Sequence, residues 1–83
     1  MKQLLHFTAS WCQPCKQMEP LIAKLVSENL NINYEKIDVS DEFDPATEYG
    51  VKGVPTFIAL IDGKEVSRHT GIATEEKLLN LFN

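Results

Sequence analysis

Cys12 and Cys15, in the run Trp11-Cys12-Gln13-Pro14-Cys15, stand where a strand-like segment gives way to a helical pattern. No other feature limits the possible folds of this chain so tightly. They are its only cysteines. If a helix begins here, positions i and i+3 share a face. Their Cα atoms then lie about 5–6 Å apart, inside the window a disulfide accepts. A pair that opens and closes without moving the backbone is a two-electron redox centre. The spacing leads to the expectation of a small thiol–disulfide oxidoreductase.

The chain has 83 residues, which makes residues 1–83 a single domain. At that size roughly 60% of the unfolded surface becomes buried, a thin but sufficient core. With 43% apolar residues and no polar tracts, the chain is expected to fold alone. A net charge of −4 argues against nucleic acid, whose binding needs a basic face to displace counterions. No apolar run approaches about 18 residues, so no membrane span is expected. The start, Met1 to Thr8, faintly suggests a secretory leader. However, His6 and Thr8 interrupt it, the apolar stretch is short, and Trp11-Cys12 follows too closely. The expected location is the cytoplasm, where structural disulfides are rare and a cysteine pair is catalytic or metal-binding.

Residues 3–8 read as a strand with Leu5 and Phe7 on one face and Leu4, His6 and Thr8 on the other. After the cysteines, Met18, Leu21, Ile22, Leu25 and Val26 recur at helical spacing, with Lys16, Gln17, Lys24 and Glu28 on the wet side. Asn29 to Asn31 ends this helix, and residues 32–39 form the next strand. Asp44 and Pro45 predict the N-cap and first turn of a brief helix that stops at Gly50. Residues 56–61 suit the middle of a sheet, and Asp62-Gly63 signals a hairpin returning through residues 64–70. Thr74 caps a last helix with Glu75 and Glu76 in its first turn. Leu78, Leu79, Leu81 and Phe82 are expected to face inward from it. The order is β-α-β-α-β-β-α. A strand–helix–strand crossover makes a parallel pair and a hairpin an antiparallel one. The expected fold class is therefore α/β, a four-stranded mixed sheet with three helices.

A Trp-Cys-x-Pro-Cys run between a strand and a helix resembles the thioredoxin family. Phe7, Ala9 and Trp11 match that family's lead-in, and Lys16 and Pro20 match its active-site helix. Gly50-Val51-Lys52-Gly53-Val54-Pro55-Thr56 looks like the segment that carries its cis-proline, and Gly71 falls where the family has a glycine beside the site. The likeness covers nearly the whole chain, apart from the extra N-terminal strand and helix of full-length thioredoxins. It implies a thioredoxin-like fold. Glutaredoxins share the short length, but they usually carry Thr-Val-Pro and a Gly-Gly pair. Gly53-Val54-Pro55-Thr56 with a single Gly71 fits thioredoxins better.

The resemblance implies that Cys12 is the nucleophile and Cys15 the resolving thiol. A helix N-terminus favours an anion, so the Cys12 thiolate is expected to be stabilised. A structural staple is the alternative, although a four-residue loop closes little chain entropy. A zinc site would need His6 and His69 as further ligands with no motif spacing, so no metal is expected. Pro14 fixes the first turn, and Gln13 departs from the glycine commonest in the family. Trp11 reads either as core or as a contact surface for substrate. By resemblance the Val54–Pro55 bond is cis and presents the Val54 backbone to an extended substrate segment. Gly71 and Ile72 are expected to border the site.

His6 falls where thioredoxins commonly bury an aspartate beneath the cysteines, and Lys36 aligns with the lysine that accompanies it. A neutral imidazole there is either the proton acceptor for Cys15 or a satisfied core histidine. Lys36 reads as a solvated strand residue. Asp41, Glu42, Asp44 and Glu48 read as wet surface, and His69 has no assigned role. The implied partners are disulfide-containing proteins and a thioredoxin reductase or other dithiol donor, with the chain a monomer and no organic cofactor. A glutathione-dependent reductase and a docking module with secondary redox activity are the alternatives.

Overall fold

The computed structural model describes residues 1–41 and 47–83. Its elements run β1 Lys2–Thr8, α1 Gln13–Glu28, β2 Ile32–Asp38, β3 Thr56–Ile61, β4 Lys64–Thr70 and α2 Glu75–Asn80. The sheet order is β2-β1-β3-β4, with β1 parallel to β2 and the other neighbours antiparallel. This is the expected mixed sheet. The N-cap and first-turn roles of Asp44 and Pro45 lie outside the described residues, so the third helix of that expectation is not seen whole. Thr47 and Glu48 are helical. The Gly50 N–H then donates to the Thr47 carbonyl at 3.1 Å, and Gly50 sits at φ +67°.

β1 lies between two neighbours and is covered on both faces, which is why Leu4 through Thr8 are all buried. Its alternation divides the core as the sequence predicts. Leu4 packs with Met18, Ile22 and Leu25 of α1, with Phe57 and Ala59 of β3, and with Leu78, Leu81 and Phe82. Leu5 and Phe7 pack on the opposite face with Ile37, Ile58 and Leu60. The helical stripe is likewise graded. Met18, Ile22 and Leu25 are buried, while Leu21 and Val26 flank them half-buried. Pro20 sits inside α1 and cannot donate to the Lys16 carbonyl, yet the helix runs through it. Asn29 closes α1, its side-chain amide donating to the Leu25 carbonyl at 2.8 Å.

The β3–β4 hairpin turns on Asp62 and Gly63 at φ 52° and 83°. Two successive positive values make the tight turn whose twist matches the strands. A register shift between Ala59 and Leu60 leaves Val66 unpaired and marks a bulge on β4. Thr74 accepts the Lys77 N–H at 3.1 Å and starts α2. That helix stops at Asn80, so Leu81 and Phe82 are buried from the turn that follows it.

Candidate active site

The site is built where β1 ends and α1 begins. The Cys12 N–H donates to the Ala9 carbonyl at 3.1 Å, closing the turn that delivers Cys12 to the N-cap of α1. An N-cap residue has extended backbone and a side-chain acceptor for one of the helix's unpaired N–H groups. Cys12 has φ −93° and ψ 106°, and its Sγ accepts the Cys15 N–H at 3.2 Å. Pro14 follows in the first turn, where its missing N–H costs nothing. Cys12 and Cys15 are joined as a disulfide with Cα atoms 5.3 Å apart. Both are buried, Cys15 the more deeply.

A small apolar cluster surrounds the sulfurs, with Ala9, Cys12 and Cys15 packed against Val39 and Val54. Val54 thus reaches the cysteines from a segment some forty positions away. The Val54–Pro55 peptide bond is cis. Gly71 is tied to the same place, its N–H donating to the Pro55 carbonyl at 2.8 Å. Thr56 braces it from below, donating through its hydroxyl to the Gly53 carbonyl at 2.6 Å. Trp11 is 69% exposed and so is not part of the core. It shares a depression of about 300 Å³ with Val51, Lys52, Gly53 and Val54, and Val39 and Ser40 close the far wall. Gln13 and Pro14 are exposed in the first turn, and Ile72 is exposed beside Gly71.

His6 lies on the face of β1 that α1 covers, opposite Lys36 in the β1–β2 register. Burial, and then the Lys36 ammonium, lower its pKa to about 4, so the imidazole is neutral near pH 7. Lys36 is exposed and pairs with Glu19 of α1 at 3.5 Å. Glu19 is four positions after Cys15 in α1, about 6 Å along the helix axis. Asp41 and Glu48 are exposed, whereas Glu42 and Asp44 lie outside the described residues. His69 has Nε2 3.2 Å from the Ile72 carbonyl. Among the described residues no cluster of three or more metal-ligating side chains occurs.

Sequence reasoning overlooked Tyr34, whose hydroxyl is 2.7 Å from His6 Nδ1. It also overlooked Ser40, Val51 and Lys52 beside Trp11. The nearest signal was that Val51 and Lys52 directly precede Gly53-Val54-Pro55.

A family model described as Thioredoxin matches residues 1–83. The chain belongs to the thioredoxin family. It is 39% identical over 80 residues to a thioredoxin of Chlamydia caviae, an alignment spanning 96% of this chain and 78% of that one. It also superimposes on the thioredoxin NaTrxh of Nicotiana alata with a TM-score of 0.89 and 40% identity, covering 95% of this chain and 68% of the other. With the oxidised mitochondrial thioredoxin 3 of Saccharomyces cerevisiae the TM-score is 0.87 at 34% identity, covering 95% and 74%. These matches favour the thioredoxin over the glutaredoxin reading. A thioredoxin-family chain whose Cys-x-x-Cys pair is within disulfide reach is a thiol–disulfide oxidoreductase.

Proposed function

We propose that this chain reduces protein disulfides, with Cys12 as nucleophile and Cys15 as resolving thiol. The observation that carries the reading is the Cys12 sulfur at the N-cap of α1, accepting the Cys15 N–H. Once the disulfide opens, that donor and the positive end of the helix favour thiolate over thiol.

The Cys12 thiolate attacks one sulfur of a substrate disulfide. That S–S bond breaks, and its electron pair leaves on the other substrate sulfur. Cys15 then gives up its proton and attacks Cys12, releasing the second substrate sulfur as a thiolate that takes up a proton. Two electrons pass from the cysteine pair to the substrate. A thioredoxin reductase or another dithiol donor restores the pair.

His6 accepts the Cys15 proton in this reading. Its burial beneath α1 and an Nε2 atom with no partner among the described residues support that role. Trp11, Gln13, Pro14, Val54, Pro55, Gly71 and Ile72 form the docking surface, on which an extended substrate segment pairs with the Val54 backbone. What supports this is the exposed Trp11 and the link between Gly71 and Pro55. The protein acts as a monomer in the cytoplasm. What supports the location is that structural disulfides are rare in the cytoplasm, where a cysteine pair is more often catalytic.

Insulin reduction driven by dithiothreitol tests the reading. Turnover is expected in the wild type and its loss in Cys12→Ser. Full biological activity in that variant would replace the reductase with a docking module.

A further inference from the structure

The His6 ring is 1% exposed and held from two sides. It stacks on Phe57 with centroids 4.5 Å apart, and its Nδ1 meets the Tyr34 hydroxyl at 2.7 Å. Its other nitrogen, Nε2, is sealed from solvent with no partner among the described residues. Tyr34 is only half-buried. It lines a groove of about 460 Å³ between α1 and β2, together with Glu19, Ile22, Val26 and Lys36. One side of the tyrosine therefore touches the buried ring and the other reaches the groove.

We propose that Tyr34 is a positioning residue for disulfide exchange: its hydroxyl accepts the Nδ1–H of His6, leaves the buried Nε2 bare, and passes the displaced proton to water in the groove. This rests on the reading of His6 as acceptor of the Cys15 proton. Two neutral tautomers are available to the ring. Were Tyr34 the donor, the ring proton would sit on Nε2 as a buried N–H with no acceptor. An orphaned buried donor is rarer than an under-satisfied acceptor, so the lone pair is the cheaper group to leave alone. A hydroxyl both accepts and donates. With Nδ1–H pointing at its oxygen, the Tyr34 proton is free to face groove water.

The relay balances. Nε2 takes the Cys15 proton, Nδ1 gives its proton to the Tyr34 oxygen, and Tyr34 gives its own to water. The imidazole ends as the opposite neutral tautomer. The Cys15 thiolate attacks the Cys12 sulfur, the bond from Cys12 to the substrate sulfur breaks, and that sulfur leaves with the pair and takes a proton from water. Cys12 and Cys15 finish oxidised, and the substrate sulfur is reduced. A ring whose pKa is lowered to about 4 does not hold a second proton near neutrality, so an incoming proton must displace another. Burial and then Glu19 raise the Tyr34 pKa to about 12, so the phenol keeps its proton between turnovers. Lys36 and Glu19, paired with each other, are the charged groups that act on this ring and phenol.

Long-range proton–nitrogen NMR of the reduced wild type, the state from which the relay starts, reads the His6 tautomer without any variant. Nδ1–H with a bare Nε2 is expected, and Nε2–H would overturn the proposal. Single-turnover stopped flow then separates formation of the mixed disulfide from its resolution. Tyr34→Phe is expected to slow resolution about tenfold, a fraction of what a proton acceptor contributes, and to leave the Cys12 attack unchanged. Unchanged resolution would overturn the role of Tyr34. His6→Ala, run in parallel, keeps the two readings apart. Slow resolution in His6→Ala beside a normal Tyr34→Phe removes Tyr34 alone. Normal resolution in His6→Ala removes His6 as acceptor, and the relay with it.

Discussion

Replacing His6 with phenylalanine should flatten the acid side of the stability curve. The His6 pKa is lowered from 6.5 to about 4 in the folded chain, first by burial and then by Lys36. Between those two values the unfolded state binds more protons than the native state, so stability rises with pH. The contribution is present in full above the unfolded pKa and is lost as pH falls towards the folded one. From pH 7.5 to pH 5 the lost stability is about 2 kcal/mol, taken from the difference in proton binding. Phenylalanine keeps a ring against Phe57 and cannot titrate. Urea unfolding followed by circular dichroism gives the free energy at each pH. The wild type should lose about 2 kcal/mol more than His6→Phe over that interval. The difference of differences cancels the carboxylates, which titrate in both proteins. Parallel curves would refute the argument, because they require a histidine that protonates as easily inside the fold as outside.

Lys36→Gln should raise the His6 midpoint above about 4, by less than full exposure would, since burial is the larger cause; NMR titration of the ring measures this. Trp11→Ala should weaken kcat/KM for insulin while leaving reduction of the disulfide by dithiothreitol near the wild-type rate, because the indole is exposed and belongs to the proposed docking surface. The melting temperature should barely move. Leu4→Ala removes a fully buried side chain shared by α1, β3 and the segment after α2, and should cost about 3 kcal/mol in urea unfolding. Thr74→Ala deletes the cap of α2 and should cost about 1 kcal/mol by the same assay.

What the sequence made legible was whatever depends on neighbours along the chain. The alternation of Leu4 to Thr8 separates two core faces, Asp62-Gly63 selects its turn, and the cysteine spacing matches one helical turn. Contacts that depend on register between strands were not legible. The pairing of β1 with β2 brings Tyr34 to His6, yet nothing local distinguishes that tyrosine from an ordinary apolar strand residue. The wall facing Trp11 escaped for the same reason, since it is assembled from the end of β2 and the approach to Pro55. The tail behaves differently. Leu81 and Phe82 were rightly placed inside, but burial holds them after the helical hydrogen bonding of α2 has ended.

The sulfur of Cys12 also terminates a helix, and this makes two familiar knockouts unequal. Serine at that position can still offer oxygen to the waiting amide, so a Cys12→Ser protein loses its chemistry and keeps its scaffold. Alanine removes both at once. Any phenotype seen with alanine and not with serine belongs to the loosened first turn rather than to electron transfer.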